Sequence, residues 1–201
     1  LIYKSNDPFN TALKLSIIGN LIDFGPSNSF NILDFIAKTN HIKFEIDDSS
    51  QLKKFIANSK NLLYLGDNAG EIVLDKLFIE TFKNINPKIN VTFAVRDNYI
   101  LNDVTVEDAK YVKIDSITNI ITNGYDAPST ILEKCSDEFK EYYYKADIII
   151  SKGQGNFEGL IKNKEKDIFF LFIIKCNIIS KYLNKQKNSI IVVYNKNINF
   201  N

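Results

Sequence analysis

The sequence predicts an α/β fold in which helices cover both faces of a mostly parallel β-sheet. Short, continuous apolar segments recur along the chain, and segments with the 3.6-residue spacing of a helix separate them. A strand that is buried on both faces is apolar along its whole length, as in parallel sheets. The alternation of such strands with helices is typical of α/β proteins.

Six segments have the composition of buried strands. They are residues 62–65, 90–96, 120–122, 146–151, 168–174 and 190–194. A turn is predicted directly after the third strand, where Asn123 and Gly124 follow.

The predicted helices are identified mainly by their starts. Asp7 followed by Pro8 is typical of a helix N-terminus, and apolar residues at helical spacing continue to Gly19–Asn20. Thr105 and Asp108 form a capping box for a short helix. Further helices are predicted at residues 28–38, at 52–57 with Ser49 or Ser50 as the cap, at 74–82, and from Ser136 or Asp137 to Tyr143.

Composition excludes several classes of protein. A hydrophobic fraction of 45% in 201 residues is ample for a packed core. The net charge of +1 gives no reason to expect nucleic acid or an anionic membrane as a partner, and no segment is long and apolar enough to span a bilayer. Cys135 and Cys176 form neither a disulfide framework nor a zinc motif, so we expect a reducing cytoplasm.

The chain begins at Leu1 and contains no Met. We therefore expect either a fragment of a longer protein or a sequence from which residues are missing.

Polar side chains follow three of the predicted strands. Asp67 and Asn68 follow the first strand, Asp103 lies beyond the second, and Lys152 with Gly153 ends the strand at 146–151. The carboxyl ends of parallel strands share one edge of a sheet, so these residues are expected to converge. Two Asp and one Asn offer oxygen ligands for Mg or Mn, and a Gly-flanked lysine can approach an anion. Together they suit hydrolysis of a phosphate monoester.

Other interpretations of these residues stay open. Asp67, Asn68 and Asp103 are also typical helix caps, and the KGQGN turn is equally suited to a tight strand-to-helix connection. Walker A and GxGxxG motifs are absent, and a single histidine, His41, makes a catalytic triad improbable. Cys176, which follows an apolar segment, is expected to be a packed core thiol.

Six segments, in this order along most of the chain, resemble one known family. They are DPFNTALKLSIIGNLIDFG (7–25), YLGDNAGEIVLDKLFIE (64–80), NDVTVEDA (102–109), NGYDAP (123–128), ADIIISKGQGNFEGL (146–160) and KC (175–176). They resemble the DUF89 family of metal-dependent damage-control phosphatases, which is related to the ARMT1-like metal-binding domain. DNAGE and KGQGNFE are the most specific of these motifs.

The resemblance implies a Rossmann-like three-layer α/β/α domain with a helical N-terminal part. Residues 1–58 would form a helical lobe, the C-terminal part of a larger helical region, and residues 59–201 the metal-binding phosphatase domain. Family members of this simpler type usually begin with a helical segment that carries a CxxC pair, which this chain lacks. Either the N-terminus is missing or the chain is a divergent member.

The resemblance also implies roles for single residues. Asp67, Asn68 and Asp103 would hold a Mg, Mn, Co or Ni ion, and Lys152 would bind the phosphate. The other residues expected at the substrate are Asn20, Gly70, Glu71 and Asn156. Backbone N–H groups of the turn at residues 68–70 are expected to assist Lys152.

The expected function is a cytoplasmic, metal-dependent phosphatase that acts on small phosphorylated metabolites, either sugar phosphates or damaged cofactor intermediates. The attacking group is a metal-activated water, with Asp67 as a nucleophile left open. Two rival functions are an S-adenosylmethionine-dependent carboxyl methyltransferase and a non-catalytic phosphometabolite-binding module. The sequence predicts no oligomeric state.

Overall fold

The structure is a computed structural model that describes residue 2, residues 5–19 and residues 42–198. Within these ranges the sheet has seven strands in the order β1-β7-β6-β5-β2-β3-β4. The strands are β1 (Ile46–Asp47), β2 (Asn61–Leu65), β3 (Asn90–Val95), β4 (Asn119–Thr122), β5 (Ile148–Lys152), β6 (Ile168–Ile173) and β7 (Ile190–Tyr194). All neighbouring strands are parallel except β6 and β7, which are antiparallel.

The described ranges contain seven α-helices. They are α1 (Pro8–Ile18), α2 (Ser49–Asn58), α3 (Ile72–Lys83), α4 (Val106–Tyr111), α5 (Asp137–Lys145), α6 (Gln154–Leu160) and α7 (Asn177–Leu183). Helices α6 and α7 and the short strand β1 are additional to the predicted elements. The helix predicted at residues 28–38 lies outside the described residues.

Helices cover both faces of the sheet, which confirms the predicted α/β/α arrangement. On one face, apolar residues of α1, α2 and α3 pack against alternate strand residues such as Leu62 and Ile150. On the other face, residues of α5, α6 and α7 pack against the intervening residues, such as Leu63 and Ile149. The strands are therefore buried on both sides, as their continuous apolar composition predicts.

Two predicted helix starts are confirmed in detail. Asp7 accepts a hydrogen bond from the backbone N–H of Asn10 at 3.1 Å, and Pro8 is the first helical residue. Thr105 and Asp108 form the reciprocal capping box at α4. The cap predicted at Ser49 or Ser50 is wrong, because Asp48 occupies the N-cap position of α2.

The N-terminal residues share the apolar core of the sheet. Leu13 of α1 and Leu52 of α2 belong to the same buried cluster as Tyr64 of β2. Strand β1 pairs with β7 at the edge of the sheet. The division into two parts at residue 58 stays a prediction.

The topology places the ends of three central strands beside one another. β2 lies between β5 and β3, and all three run in the same direction. The segments that leave these strands at residues 66, 96 and 153 therefore meet at one edge, the carboxyl edge of the sheet. None of the helices in the described ranges is long and apolar enough to cross a membrane.

Candidate metal centre

Six charged side chains are buried in the described part of the chain, and contacts or charge interactions link all of them at the carboxyl edge of the sheet. They are Asp67, Glu71, Asp75, Arg96, Asp103 and Lys152. If all six are ionised, four carboxylates face two cations, which leaves a formal excess of two negative charges. Buried charge of this kind is costly unless it is paired or binds a metal ion.

Backbone hydrogen bonds bring the three predicted metal ligands together. The segment after β2 pairs with the segment before α4, with Asn68 opposite Asp103 in an isolated antiparallel bridge. Ala69 N–H donates to the carbonyl of Asn102 at 2.9 Å, and Val104 N–H donates to the carbonyl of Asp67 at 2.8 Å. The predicted convergence of Asp67, Asn68 and Asp103 therefore matches the geometry, while their binding of a metal stays a prediction.

The carboxylate of Asp67 is buried among charged side chains of both signs. Burial and, to a smaller extent, the charge of Asp103 raise its pKa, whereas Lys152, Lys175 and Arg96 oppose the shift, and the net value is about 6. The side-chain amide of Asn68 donates to Asp67 Oδ2 at 3.1 Å, which leaves the carbonyl oxygen of that amide available as a ligand.

These oxygens fit a hard divalent cation, which would neutralise two neighbouring carboxylates. The described ranges contain no cluster of three His, Cys, Asp or Glu side chains suited to a metal. The predicted set differs from such a cluster because its third ligand is the amide oxygen of Asn68.

Glycine is required at position 153 for two reasons. Gly153 has a φ of +81°, a conformation that other residues adopt at a cost. A Cβ atom there would lie 2.2 Å from Cγ of Asp67. The backbone at the start of α6 therefore packs directly against the Asp67 carboxylate and limits its movement.

Arg96, which follows β3, is a site residue that the motif analysis did not identify. Its Nε donates to Asp103 Oδ2 at 2.7 Å, and its side chain is 3% exposed. Its terminal nitrogens donate to the side chains of Thr130 and Asn156 at 3.2 and 2.9 Å and to the carbonyl of Ser129 at 3.0 Å. One oxygen of Asp103 is thus held by a cation, and Oδ1 is left for another partner.

Asn156 lies behind the predicted ligands, at the first turn of α6. It is completely buried, and its amide donates to the carbonyls of Lys152 and Gly66 at 2.8 and 3.2 Å. Its carbonyl oxygen accepts from Arg96 and Thr130. Both ends of the side chain are therefore engaged within the protein, and a direct contact with substrate stays a prediction that this geometry does not favour.

The structure places Lys152 below the predicted ligands, where its ammonium is 1% exposed. Its Nζ donates to Asp75 Oδ1 at 2.6 Å and to the carbonyl of Ser16 at 2.9 Å, and lies 3.3 Å from Glu71 Oε2. Burial alone would lower the pKa of Lys152, but Asp75 and Glu71 raise it above its ordinary value. Lys152 is thus a buried counter-charge, and the phosphate contact predicted for it would require one of these partners to be released.

The direction of Lys152 follows from its place in the sheet. Ile148, Ile150 and Lys152 alternate along β5, and the two isoleucines pack on the face covered by α1 and α3. Side chains two residues apart in a strand share a face. Because β5 continues to residue 152, one residue beyond the predicted end, Lys152 points toward that helical layer.

Glu71 links the buried pair of Lys152 and Asp75 to the predicted metal ligands. Its Oε1 accepts from the backbone N–H of Asn68 at 3.2 Å, and its side chain is completely buried. Burial raises the pKa of Glu71 to about 8, although the charge of Lys152 opposes the shift. Asp75 in turn accepts from the hydroxyl of Tyr64 at 2.6 Å.

The remaining predicted substrate residues have different outcomes. Gly70 is exposed in the turn before α3. Asn20 lies outside the described residues. The N–H groups of Asn68 and Ala69 in the turn donate to Glu71 and to the carbonyl of Asn102, and their role at a phosphate stays a prediction that this geometry does not favour.

A second lysine, Lys175, lies near the two carboxylates and was assigned no role from the sequence. Its side chain is exposed beyond the end of β6, and its charge lowers the pKa of both Asp67 and Asp103. The side-chain oxygen of Gln154 accepts from the backbone N–H of Lys175 at 2.7 Å. Because Gln154 follows Gly153, this bond ties the lysine to the segment that packs on Asp67.

Cys176 packs against the apolar cluster of α5, α6 and α7, as expected, but it is not enclosed by that cluster. It is partly exposed at the N-cap of α7, where its Sγ accepts from the backbone N–H of Ile179 and from Gln154. The first of these bonds lowers the pKa of the Cys176 thiol. Its position after an apolar strand suggested full burial, but at the N-cap of α7 the side chain is only partly covered.

Residues 2–191 match the damage-control phosphatase ARMT1-like domain. The chain belongs to this family. The resemblance that the motifs indicate is therefore confirmed over nearly the whole chain.

Three curated relatives are similar to the chain. A damage-control phosphatase of Pyrococcus horikoshii is 38% identical over 189 residues, which cover 94% of this chain and 66% of that protein. An uncharacterized protein of Methanocaldococcus jannaschii is 40% identical over 172 residues, covering 83% and 56%. A damage-control phosphatase of Archaeoglobus fulgidus is 33% identical over 186 residues, covering 90% and 63%.

A solved structure confirms the fold. The crystal structure of a DUF89 family protein from Pyrococcus horikoshii matches with a TM-score of 0.88 and 37% identity, covering 96% of this chain and 68% of that chain. The chain spans 56 to 66% of the length of the curated relatives described above.

The charge on Asp67 is expected to destabilise the metal-free protein. Because the folded pKa of about 6 exceeds the ordinary value of 3.8, stability should fall as pH rises between these values and stay low above them. Asp67→Asn removes the charge and should raise the free energy of unfolding at pH 7.5 in EDTA by roughly 1–3 kcal/mol.

Urea denaturation at pH 7.5 and pH 4 measures this effect. The gain should disappear at pH 4, where Asp67 is largely protonated. Asp137→Asn, at a fully exposed side chain, is the control and should change stability little at either pH. An Asp67→Asn protein less stable than wild type at pH 7.5 would contradict the expectation.

Proposed function

We propose that this chain is the catalytic domain of a metal-dependent phosphatase that hydrolyses small phosphate monoesters. The observation that carries the proposal is the convergence of two buried carboxylates, Asp67 and Asp103, with the amide of Asn68 at the carboxyl edge of the sheet. Two of the relatives are damage-control phosphatases, which supports the same class of reaction. The substrates we propose are sugar phosphates or damaged cofactor intermediates, and the metal is Mg, Mn, Co or Ni. The cytoplasmic location stays a prediction.

Asp67, Asn68 and Asp103 would hold the metal through two carboxylates and one amide oxygen. A divalent ion bound there supplies polarisation of a phosphoryl oxygen and a lowered pKa of a bound water. The protein restrains both carboxylates, since Asn68 donates to Asp67 and Arg96 donates to Asp103. Such restraint reduces the reorganisation that the site needs during the reaction.

Lys175 is the cation best suited to the substrate phosphate. Arg96 and Lys152 are both buried, and each donates to several acceptors within the protein. Lys175 is exposed, lies close enough to influence both carboxylates, and its side chain donates no hydrogen bond within the described residues. In this proposal Lys175 binds the phosphate at the entrance, and Lys152 keeps Glu71 and Asp75 in place.

Direct attack by water is favoured over an aspartyl-phosphate. Oδ2 of Asp67 accepts from Asn68, and the backbone of Gly153 packs against the same carboxylate. A nucleophilic carboxylate must reach the phosphorus atom, whereas a ligand needs only to be held in place. The surroundings of Asp67 suit the second role.

The proposed activity can be measured with a generic aryl phosphate and EDTA-stripped protein. Addition of Mg, Mn, Co or Ni singly should restore turnover with at least one ion. Asp67→Ala and Asp103→Ala should each lower turnover by about 100-fold or more, because each removes a charged ligand. Asp137→Ala is the matched control and should retain wild-type turnover.

The opposite result would favour a rival. Folded protein without turnover in any of the four ions would favour the carboxyl methyltransferase or the binding module. Binding of S-adenosylmethionine in EDTA would then distinguish these two possibilities.

The two lysines should respond differently to substitution. Lys175→Met should raise KM and the inhibition constant of inorganic phosphate by about 10- to 100-fold, since a charged hydrogen bond contributes roughly 1.5–3 kcal/mol, without changing stability. Lys152→Met should lower the free energy of unfolding by roughly 3–5 kcal/mol, because Glu71 and Asp75 lose their buried partner.

Steady-state kinetics and urea denaturation test both expectations. Lys181→Met, at an exposed lysine of α7, should change neither quantity. A Lys152→Met protein with wild-type stability and a raised KM would contradict this assignment and indicate that Lys152 binds the substrate phosphate.

A further inference from the structure

Arg96 is the only arginine in the chain. The sequence has 25 basic residues of the Lys and Arg types, and all the others are lysine. The geometry around Arg96 gives a physical reason why a guanidinium group stands at this position.

Each of the three guanidinium nitrogens contacts a different part of the protein. Nε donates to Asp103 at 2.7 Å, Nη2 donates to Asn156 at 2.9 Å, and Nη1 donates to the carbonyl of Ser129 at 3.0 Å and the hydroxyl of Thr130 at 3.2 Å. A planar guanidinium can satisfy these directions together, whereas a lysine ammonium has one nitrogen and cannot.

The contact with Asp103 is one-sided. Only Nε of Arg96 donates to this carboxylate, and only Oδ2 of Asp103 accepts from it. Because the other nitrogens of Arg96 donate to other residues, the guanidinium cannot rotate to form a bidentate ion pair with both oxygens of Asp103. Oδ1 of Asp103 is therefore left as a single oxygen in a fixed direction.

The anchors of Arg96 also extend across the carboxyl edge. Asn156, which accepts from Arg96, donates to the carbonyls of Gly66 after β2 and Lys152 at the end of β5. Thr130 donates to the same oxygen of Asn156 at 2.8 Å. Through Arg96 and Asn156, hydrogen bonds therefore fix the position of Asp103 relative to the ends of three neighbouring strands, β3, β2 and β5.

We propose that Arg96 is a positioning residue that makes Asp103 a one-oxygen ligand of the metal and thereby sets the metal preference. The inference rests on the metal-dependent function proposed above. Small ions such as Mg²⁺ and Mn²⁺ suit a few well-directed oxygens, whereas Ca²⁺ accepts two-oxygen binding by a carboxylate. Residues that orient metal ligands typically change metal affinity by 10–100-fold when they are replaced.

The test is the affinity of the EDTA-stripped protein for Mn²⁺, measured by electron paramagnetic resonance of the free ion, with Ca²⁺ as competitor. Arg96→Lys keeps the charge and removes the fixed geometry. It should weaken Mn²⁺ binding by 10–100-fold and shift the Mn²⁺/Ca²⁺ preference toward Ca²⁺. Loss of folded protein alone would lower the number of sites and leave this preference unchanged.

Two further variants complete the experiment. Thr130→Val keeps the side-chain shape and removes one anchor of Nη1, and it should weaken Mn²⁺ binding by a smaller factor of about 3–10. Asp103→Ala should abolish Mn²⁺ binding. If Arg96→Lys does not fold, Thr130→Val decides the question. A Thr130→Val protein with the Mn²⁺ affinity and the Mn²⁺/Ca²⁺ preference of the wild type would then overturn the inference.

Failure of the inference can be told apart from failure of the proposed function. Wild-type protein that binds no Mn²⁺ would overturn the metal-dependent function. Mn²⁺ binding that depends on Asp103, with wild-type affinity and ion preference in folded Arg96→Lys, would overturn only the role of Arg96.

Discussion

Electrostatic repulsion among buried carboxylates is the constraint on which the arrangement of the carboxyl edge depends. Lys152 offsets Glu71 and Asp75 on the side of α1 and α3, and Arg96 offsets Asp103 on the opposite side. Asp67 lies between the two groups and has the Asn68 amide as a neutral donor. Arg96 therefore balances Asp103, whereas Lys152 offers one positive charge to two carboxylates, and the fully ionised cluster is negative around Asp67 and Glu71, where a cation is favourable.

The alternation of strand residues separates these two groups. Lys152 ends β5 on the face that Ile148 and Ile150 share with α1 and α3. Arg96 follows β3 in register with Ala94, whose side chain belongs to the other apolar layer. Two basic residues at the ends of the strands on either side of β2 thus point to opposite layers, and each pairs with different carboxylates.

Much of the fold could be predicted because the sheet is almost entirely buried. Continuous apolar segments mark six of the seven strands found in the described residues, and the capping residues Asp7 and Thr105 mark two helix starts. The reversed direction of β7 could not be predicted, because a buried strand has the same composition in either direction. Strand β1 has only two residues and is too short to show a pattern.

The candidate site could be predicted only where sequence position determines spatial position. Asp67 and Asp103 follow parallel strands, so the shared edge alone brings them close. The orientation of Lys152 depended on one additional strand residue, which apolar composition does not reveal. Arg96 carries no motif, and the signal that could have identified it is its status as the chain's single arginine.

The negative centre of this cluster also bears on the lifetime of the protein in a cell. Any ion that binds the folded chain and not the unfolded chain adds stability in proportion to the logarithm of its concentration. Unfolded molecules are removed by proteases, and small changes in stability alter abundance several-fold. With Asp67 and Asp103 as ligands, the supply of divalent metal would control the amount of this protein as well as its activity.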